Sequence, residues 1–174
     1  METVCSAQFE SPIGALRIAS TEVGVAYLGL PRAGGRGFAG WLERSARGAR
    51  HEQAYAPNRD AIRQVVEYLE GKRRDFDLRL DLRGTPFQCA VWNALLEIPY
   101  GVTRSYADVA RAVGNPNAVR AVGTANGTNP IPLVVPCHRV IATGGKLGGY
   151  GGGLDLKRQL LAMEQSACHQ GTLL

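Results

Sequence analysis

Hydrophobic and polar positions divide the chain into a β-rich first part and a helical second part. Gln8 to Ile18 predicts a hairpin turning at Ser11-Pro12-Ile13-Gly14, and Val23 to Leu30 continues as a strand. A loop containing Gly34, Gly35 and Gly37 precedes a short helix near Phe38 to Arg47. Between Asn58 and Glu70 the apolar residues Ile62, Val65, Val66 and Leu69 recur at helical spacing, and Gly71 stops the helix. Phe76 to Leu82 alternates strictly, as a half-exposed strand does. No cluster of chemically reactive residues falls in this part, which therefore looks like scaffold.

From Gly84 onward the period is helical. Thr85 can cap a helix with Pro86 at its first position, running to Ile98 and burying Phe87, Val91, Trp92 and Leu95. Ser105 with Asp108 three residues later opens the next helix, whose apolar face is Val109, Ala110 and Val113. Gly114-Asn115-Pro116-Asn117 breaks it, and a further helix spans Ala118 to Ala125. Two short helices joined by a tight, glycine-containing turn outline a helix-turn-helix. Its second helix presents Arg120 and, near its end, Asn126, among the small residues Ala121, Gly123, Thr124, Ala125 and Gly127. A helix this lean can approach a DNA groove closely, and equally can pack tightly in a core. Between Asn129 and Pro136 stand three prolines, 130, 132 and 136, which forbid helix and stiffen the approach to Cys137. A glycine-rich loop, Gly144 to Gly153, holds a single aromatic, Tyr150, and a last helix is expected over Leu154 to Gln165. The expected organisation is a scaffold lobe 1–83, a helical lobe 84–165 and a loose tail 166–174.

Composition adds little beyond the location of charge. The chain has 174 residues, 45% hydrophobic and 20% charged, ordinary values for a globular protein. No apolar run approaches membrane-spanning length, and Met1 to Cys5 lacks the basic and apolar regions of a signal peptide, so a cytoplasmic location is expected. Net charge is +5. Between Gly101 and Tyr150 five basic residues (Arg104, Arg111, Arg120, Arg139, Lys146) stand against one acid, Asp108, whereas residues 1–83 are nearly balanced. Such a concentration suits a polyanionic partner. The four cysteines, 5, 89, 137 and 168, are scattered, without the clustering of a disulfide framework or a zinc site.

Cys137 differs from the other three. It follows a rigid proline, precedes His138 and Arg139, and sits where positive charge accumulates. A base and neighbouring cations favour the thiolate, the reactive form. Because His138 is adjacent in sequence, direct contact with the thiol is not assured, and a water can relay the proton. The acids available to orient the histidine are Asp108, Asp155 and Glu164, among which the residues alone do not choose.

The string Pro136-Cys137-His138-Arg139-Val140-Ile141 resembles the active-site signature of the O6-alkylguanine-DNA alkyltransferase family (methylated-DNA–protein-cysteine methyltransferases). The likeness extends to Phe87-Gln88 with Val91-Trp92, to Ile98-Pro99-Tyr100-Gly101 and to Ser105-Tyr106. Gly114-Asn115-Pro116, Arg120-Ala121-Val122-Gly123, Asn129-Pro130, Gly148 to Gly153 and Leu160 to Glu164 also match in order and spacing. It covers residues 84 to 165, and Ser11 to Gly14 also looks familial. The resemblance implies an α+β fold of two lobes. The N-terminal one would be a mixed α/β, ribonuclease-H-like lobe with a small antiparallel sheet. The C-terminal one would be helical, with a winged-helix-like helix-turn-helix. It implies DNA repair in which Cys137 takes the alkyl group from guanine O6, and less readily from thymine O4, in one irreversible turnover after the base is flipped out. His138 would be the base, through a water, and Glu164 its orienting partner. Asn129 would brace the turn holding the cysteine. Tyr106 would help rotate the nucleotide and hydrogen-bond the guanine ring as its O6 leaves. Arg120 would fill the gap left by the base, and Thr124, Asn126, Gly127 and Arg139 would complete the DNA surface in the minor groove. Tyr150, Gly151, Val140 and Pro132 would line the base pocket.

Two departures qualify this. Position 151 is Gly where many relatives carry a Ser that can contact O6, so only backbone donors serve there. Zinc, held in some relatives by two Cys and two His of the N-terminal lobe, is not carried over, because this lobe offers only Cys5 and His51. No metal or cofactor, no membrane and no further regulatory domain are expected. The expected partner is double-stranded DNA containing O6-alkylguanine, met by a monomer that associates with the bacterial nucleoid when on DNA. The alternatives are a non-catalytic relative that binds the alkylated base, a helix-turn-helix regulator with an incidental cysteine, and a Cys-His hydrolase. Cys137 itself, the small-residue helix, and the lack of a legible oxyanion hole argue respectively against these.

Overall fold

In the computed structural model, which describes residues 1–31 and 37–170, the chain divides into two units, Met1–Arg83 and Gly84–Leu174. The first is built on a four-stranded sheet in the order β3-β2-β1-β4, with β1 Thr3–Ser11, β2 Gly14–Ser20, β3 Val25–Gly29 and β4 Arg50–Gln53. β1 and β2 form the expected hairpin, paired from Cys5–Ser20 to Ser11–Gly14. Ser11 closes the turn by donating to Gly14 O at 2.7 Å, and Gly14 takes a φ of 111°, open to glycine. Consecutive residues Ile18 and Ala19 are both fully buried, so both faces of the sheet are covered. Helix α1, Gly37–Ser45, lays Trp41 against Val4, Ala19 and Ala26. Helix α2, Arg59–Leu69, buries Ile62, Val65, Tyr68 and Leu69. Gly34 and Gly35 of the expected loop lie outside the described residues.

Two features differ from expectation. β4, whose four residues are all polar or charged, pairs parallel to β1, so the sheet is mixed rather than purely antiparallel. The segment Phe76–Leu82 alternates in burial as far as Leu80 but, among the described residues, makes only one parallel bridge, Leu80 to Val25. At the bridge Arg79 O accepts from Val25 N at 2.9 Å and Asp81 N donates to Val25 O at 2.8 Å, while upstream the Gln64 side chain accepts from Asp77 N at 2.8 Å and donates to Asp77 O at 3.0 Å in place of a strand partner.

The second unit packs three helices together: α3 Pro86–Leu96, α4 Tyr106–Ala112 and α5 Val119–Gly127. Thr85 with Gln88 and Ser105 with Asp108 each form a reciprocal capping box. α4 ends where Gly114, at φ 79°, lets its own N–H reach Arg111 O and the Asn115 N–H reach Ala110 O. α3 is tied to α5 by the indole of Trp92, which donates to Ala125 O at 2.8 Å. After α5 comes the proline-rich turn, then a single 3-10 turn, Cys137–Arg139, and strand β6, Val140–Ile141. β6 pairs in parallel with β5, Arg104–Ser105, which brings the start of α4 beside the cysteine segment. The last helix, α6, runs Leu154–Gln170, five residues beyond the expected Gln165, while residues 171–174 lie outside the described residues. The extension has a packing reason. Leu160, Glu164 and Cys168 share one face at four-residue spacing, and Cys168 lies against Gly101, where an added Cβ would collide with its sulfur.

Candidate active site

Cys137 is 5% exposed, at the head of the 3-10 turn. Its approach is held by Asn129, whose amide donates to Val135 O at 2.8 Å and accepts from Ile131 N at 3.0 Å. Between them Leu133 is buried at φ 73°, a left-handed conformation costing a branched residue about 1–2 kcal/mol. The Asn129 bonds and the rigid prolines keep the turn in that shape. Burial pushes the Cys137 thiol up to about 11, against the pull of the Asn129 side chain, the Lys157 charge and the backbone amides of Cys137 and His138. The resting group is therefore a neutral thiol, already surrounded by donors suited to the anion.

His138 is fully buried, and its Nε2 lies 2.8 Å from Glu164 Oε1. Burial holds the imidazole below its ordinary range, outweighing the Glu164 hydrogen bond that favours the charged form. A neutral imidazole fixed by a carboxylate is a general base in waiting. The structure chooses among the three candidate acids. Asp108 is committed to the Ser105 cap and Arg111, and Asp155 is exposed and paired with Arg158 at 3.0 Å. Glu164, fully buried, also accepts from Gly101 N at 3.1 Å and binds the Arg139 guanidinium through Nε and Nη2, at 2.8 to 3.1 Å.

Arg139 is therefore not a DNA-facing residue. It is 6% exposed, forked onto Glu164, donating to Ile98 O at 2.7 Å and lying over the Tyr100 ring at 5.6 Å. Asn126 also turns inward, its amide making a long 3.4 Å contact to Cys137 O. What α5 exposes is Val119, Arg120, Ala121, Thr124 and Gly127. Burying the apolar side of the helix (Val122, Ala125) necessarily turns position 126 in as well.

The glycine-rich loop, expected to wall the base pocket, meets Tyr106 and Lys157. Tyr106, half-buried, accepts a hydrogen bond from the Gly149 amide, and an added Cβ at Gly148 would sit 2.8 Å from its hydroxyl. Burial, then the nearness of Cys137, raises the Tyr106 phenol, and burial raises that of Tyr150 well above its usual value, so both stay protonated donors. The Tyr150 hydroxyl is buried without a hydrogen-bond partner among the described residues. Gly151 is exposed, with none of the described residues within 4 Å of an added Cβ, Pro132 is half-buried, and Val140 is fully buried with its carbonyl turned to Lys157 at 2.7 Å. Lys157 is a residue that sequence reasoning missed. Standing between Leu156 and Arg158 on a helix, it resembles any solvated lysine, yet it is fully buried. Its one sequence signal is a position facing the same way as Leu160 and Glu164.

Comparison with known proteins finds relatives along both units. Residues 86–166 match the model of the 6-O-methylguanine DNA methyltransferase DNA binding domain, and residues 4–82 that of the ribonuclease-like domain of the same family. A methylated-DNA–protein-cysteine methyltransferase of Methanosarcina acetivorans is 46% identical over 158 residues, 91% of this chain and 96% of the relative. One from Mycobacterium bovis is 53% identical over 126 residues, 66% of this chain and 76% of the relative. The crystal structure of Mycobacterium tuberculosis OGT in complex with DNA superposes with a TM-score of 0.81 at 43% identity, covering 94% of each chain. With both units matched in order, the chain belongs to the 6-O-methylguanine DNA methyltransferase family.

Proposed function

We propose that this protein repairs DNA by moving the alkyl group of O6-alkylguanine, and less readily of O4-alkylthymine, onto Cys137, once per molecule. The observation that carries the reading is the buried sequence Cys137, His138, Glu164: a neutral thiol, a neutral base beside it in the chain, and a carboxylate 2.8 Å from that base. The Cys137 proton passes to His138, directly or through one solvent molecule, and Sγ attacks the alkyl carbon. The carbon–O6 bond breaks with its electron pair remaining on O6, and the guanine ring takes up a proton, with Tyr106 O–H placed to donate to it. Net, the alkyl group goes to sulfur and the thiol proton to the base. Glu164 holds the transient imidazolium by charge, and Arg139 keeps Glu164 ionised. A thioether has no easy hydrolytic exit, so the protein is consumed.

A buried thiol cannot reach a base that stays in the stack, so the nucleotide is rotated out, at a cost of a few kcal/mol that is smaller for a mispaired base. Arg120, exposed on α5, enters the vacated space, and the small exposed residues Ala121, Thr124 and Gly127 let the helix approach the minor groove. Tyr150, Pro132 and the open backbone at Gly151 flank the flipped base. Residues 1–83 serve as scaffold and residues 84–165 as the DNA-binding, alkyl-accepting lobe. Incubation with duplex DNA carrying labelled O6-methylguanine, followed by digestion, tests this. Label on the Cys137 peptide at about one per molecule, absent in Cys137→Ser, supports it. Lesion binding without transfer refutes it in favour of an alkylated-base-binding protein.

A further inference from the structure

Lys157 is completely buried, an expensive place for an ammonium unless every N–H finds a partner. Its three hydrogens are all used: Nζ donates to Val140 O at 2.7 Å, Leu147 O at 2.5 Å and Gly149 O at 3.1 Å. The acceptors come from two separate pieces of chain. Val140 lies three residues past Cys137, whereas Leu147 and Gly149 belong to the glycine-rich wall of the pocket. That wall has backbone bonds at its stem, among Ala142, Gly145 and Lys146, and at its far end, from Gly153 N to Tyr150 O. Its middle is held by Lys157 and by the Gly149 amide on Tyr106. One side chain thus sets the spacing between the nucleophile's strand and the loop opposite.

Charge gives Lys157 a second connection. Its partners are carbonyl dipoles, which carry no net charge to balance an ammonium. The titratable groups around it are Cys137 and His138 on the turn, Glu164 and Arg139 behind His138, and Tyr106 and Tyr150 from α4 and the loop. Glu164 is answered by Arg139, His138 is neutral and both tyrosines are protonated. The group that can supply a counter-charge is Cys137, once its thiol ionises in the attack.

We infer that Lys157 is a positioning residue for alkyl transfer, stapling the Leu147–Gly149 wall to β6 and, as a buried cation, steadying the attacking Cys137 thiolate. The counter-charge to the ammonium exists only while the thiolate does: it appears as the thiol ionises and is gone once the thioether has formed. Burial lowers Lys157 to about 8, so at neutral pH the cation is still present when Cys137 ionises. The inference rests on Cys137 being the alkyl acceptor.

The test uses the full chain as parent, Lys157→Met and Lys157→Arg. Iodoacetamide labelling of Cys137 is followed against pH by peptide mass spectrometry, and amide hydrogen exchange is followed over 144–151. In Lys157→Met thiol labelling at pH 7 slows about tenfold, as for a thiolate one pH unit harder to form, and loop exchange rises. Lys157→Arg keeps the charge but cannot place three N–H groups of one nitrogen on three carbonyls, so it restores the labelling rate at pH 7 while exchange stays raised. A labelling rate or loop exchange unmoved in Lys157→Met overturns the inference. Should Lys157→Met not fold, Lys157→Arg decides: loop exchange unmoved from the parent overturns the inference. Parent protein is assayed in parallel on O6-methylguanine DNA. Absence of transfer there sinks the reading of Cys137, whereas transfer with unmoved Lys157 results sinks this inference alone.

Discussion

Replacing Arg139 with methionine distinguishes a phosphate contact from an internal counter-ion. A phosphate-binding arginine can be removed at little cost to the fold, and its loss weakens DNA binding and flattens the salt dependence by about one unit of slope. The structure requires the opposite. Arg139 is buried, forked onto Glu164 and bonded to Ile98 O. Methionine fills a similar volume but takes the guanidinium away from the Glu164 carboxylate, beside His138 and the Gly101 amide. Breaking a buried pair by removing one partner costs about 3–5 kcal/mol, against a total stability of about 5–15 kcal/mol. For a chain of this size that is a fall in melting temperature of roughly 10 °C. A second effect follows at His138, which the Arg139 charge helps hold low. Without it the unbalanced carboxylate favours the imidazolium, and the histidine titrates at higher pH. Urea unfolding, duplex binding at several salt concentrations and an NMR titration of His138 measure all three. A loss of stability under 1 kcal/mol, with a salt slope reduced by one, would refute this account and return Arg139 to the DNA surface.

Asn129→Ala removes two bonds across the proline turn and leaves Ile131 N and Val135 O to find other partners, so it should cost about 2–4 kcal/mol. Its transfer rate should fall more than its DNA affinity, as paired melting and kinetic measurements will show. Burial depresses the His138 pKa, so the unfolded chain binds the extra proton first as pH drops below about 6.5. Stability is therefore present above that pH and declines below it, while the rate of alkyl transfer holds level from pH 7.5 to 6.0. A rate halved at pH 6.5 would show an ordinary, solvated histidine. Arg120→Ala should slow repair in duplex DNA while sparing attack on free O6-benzylguanine. Equal loss on both substrates removes its place in base extrusion. Gly151→Ser places a hydroxyl in open space, so melting should not change, and any effect should appear only in relative rates for small and bulky adducts.

Short-range features were legible from the residues. The capping boxes at Thr85–Gln88 and Ser105–Asp108, the hairpin turn at Ser11–Gly14 and the stop at Gly114 depend on spacings of two or three positions along one backbone. The reactive string at Cys137 was legible for a related reason, since a proline, a nucleophile and a base in series need no partner to be noticed. What only the tertiary structure decided are matters of direction and distance. Arg50–Gln53 carries no apolar alternation, and its strand exists because β1 offers it an edge. Phe76–Leu82 has the alternation in sequence but keeps one bridge to β3, and Gln64 takes the backbone at Asp77. Asp108, Asp155 and Glu164 are equivalent carboxylates on paper, and a separation of 26 residues is closed only when α6 packs beside the cysteine turn. The same packing turned Arg139 and Lys157, two charges that composition assigns to the surface, into the interior. Whether a charged side chain meets water, DNA or a buried partner depends on which face of its element the core covers, and that face is set by the whole fold.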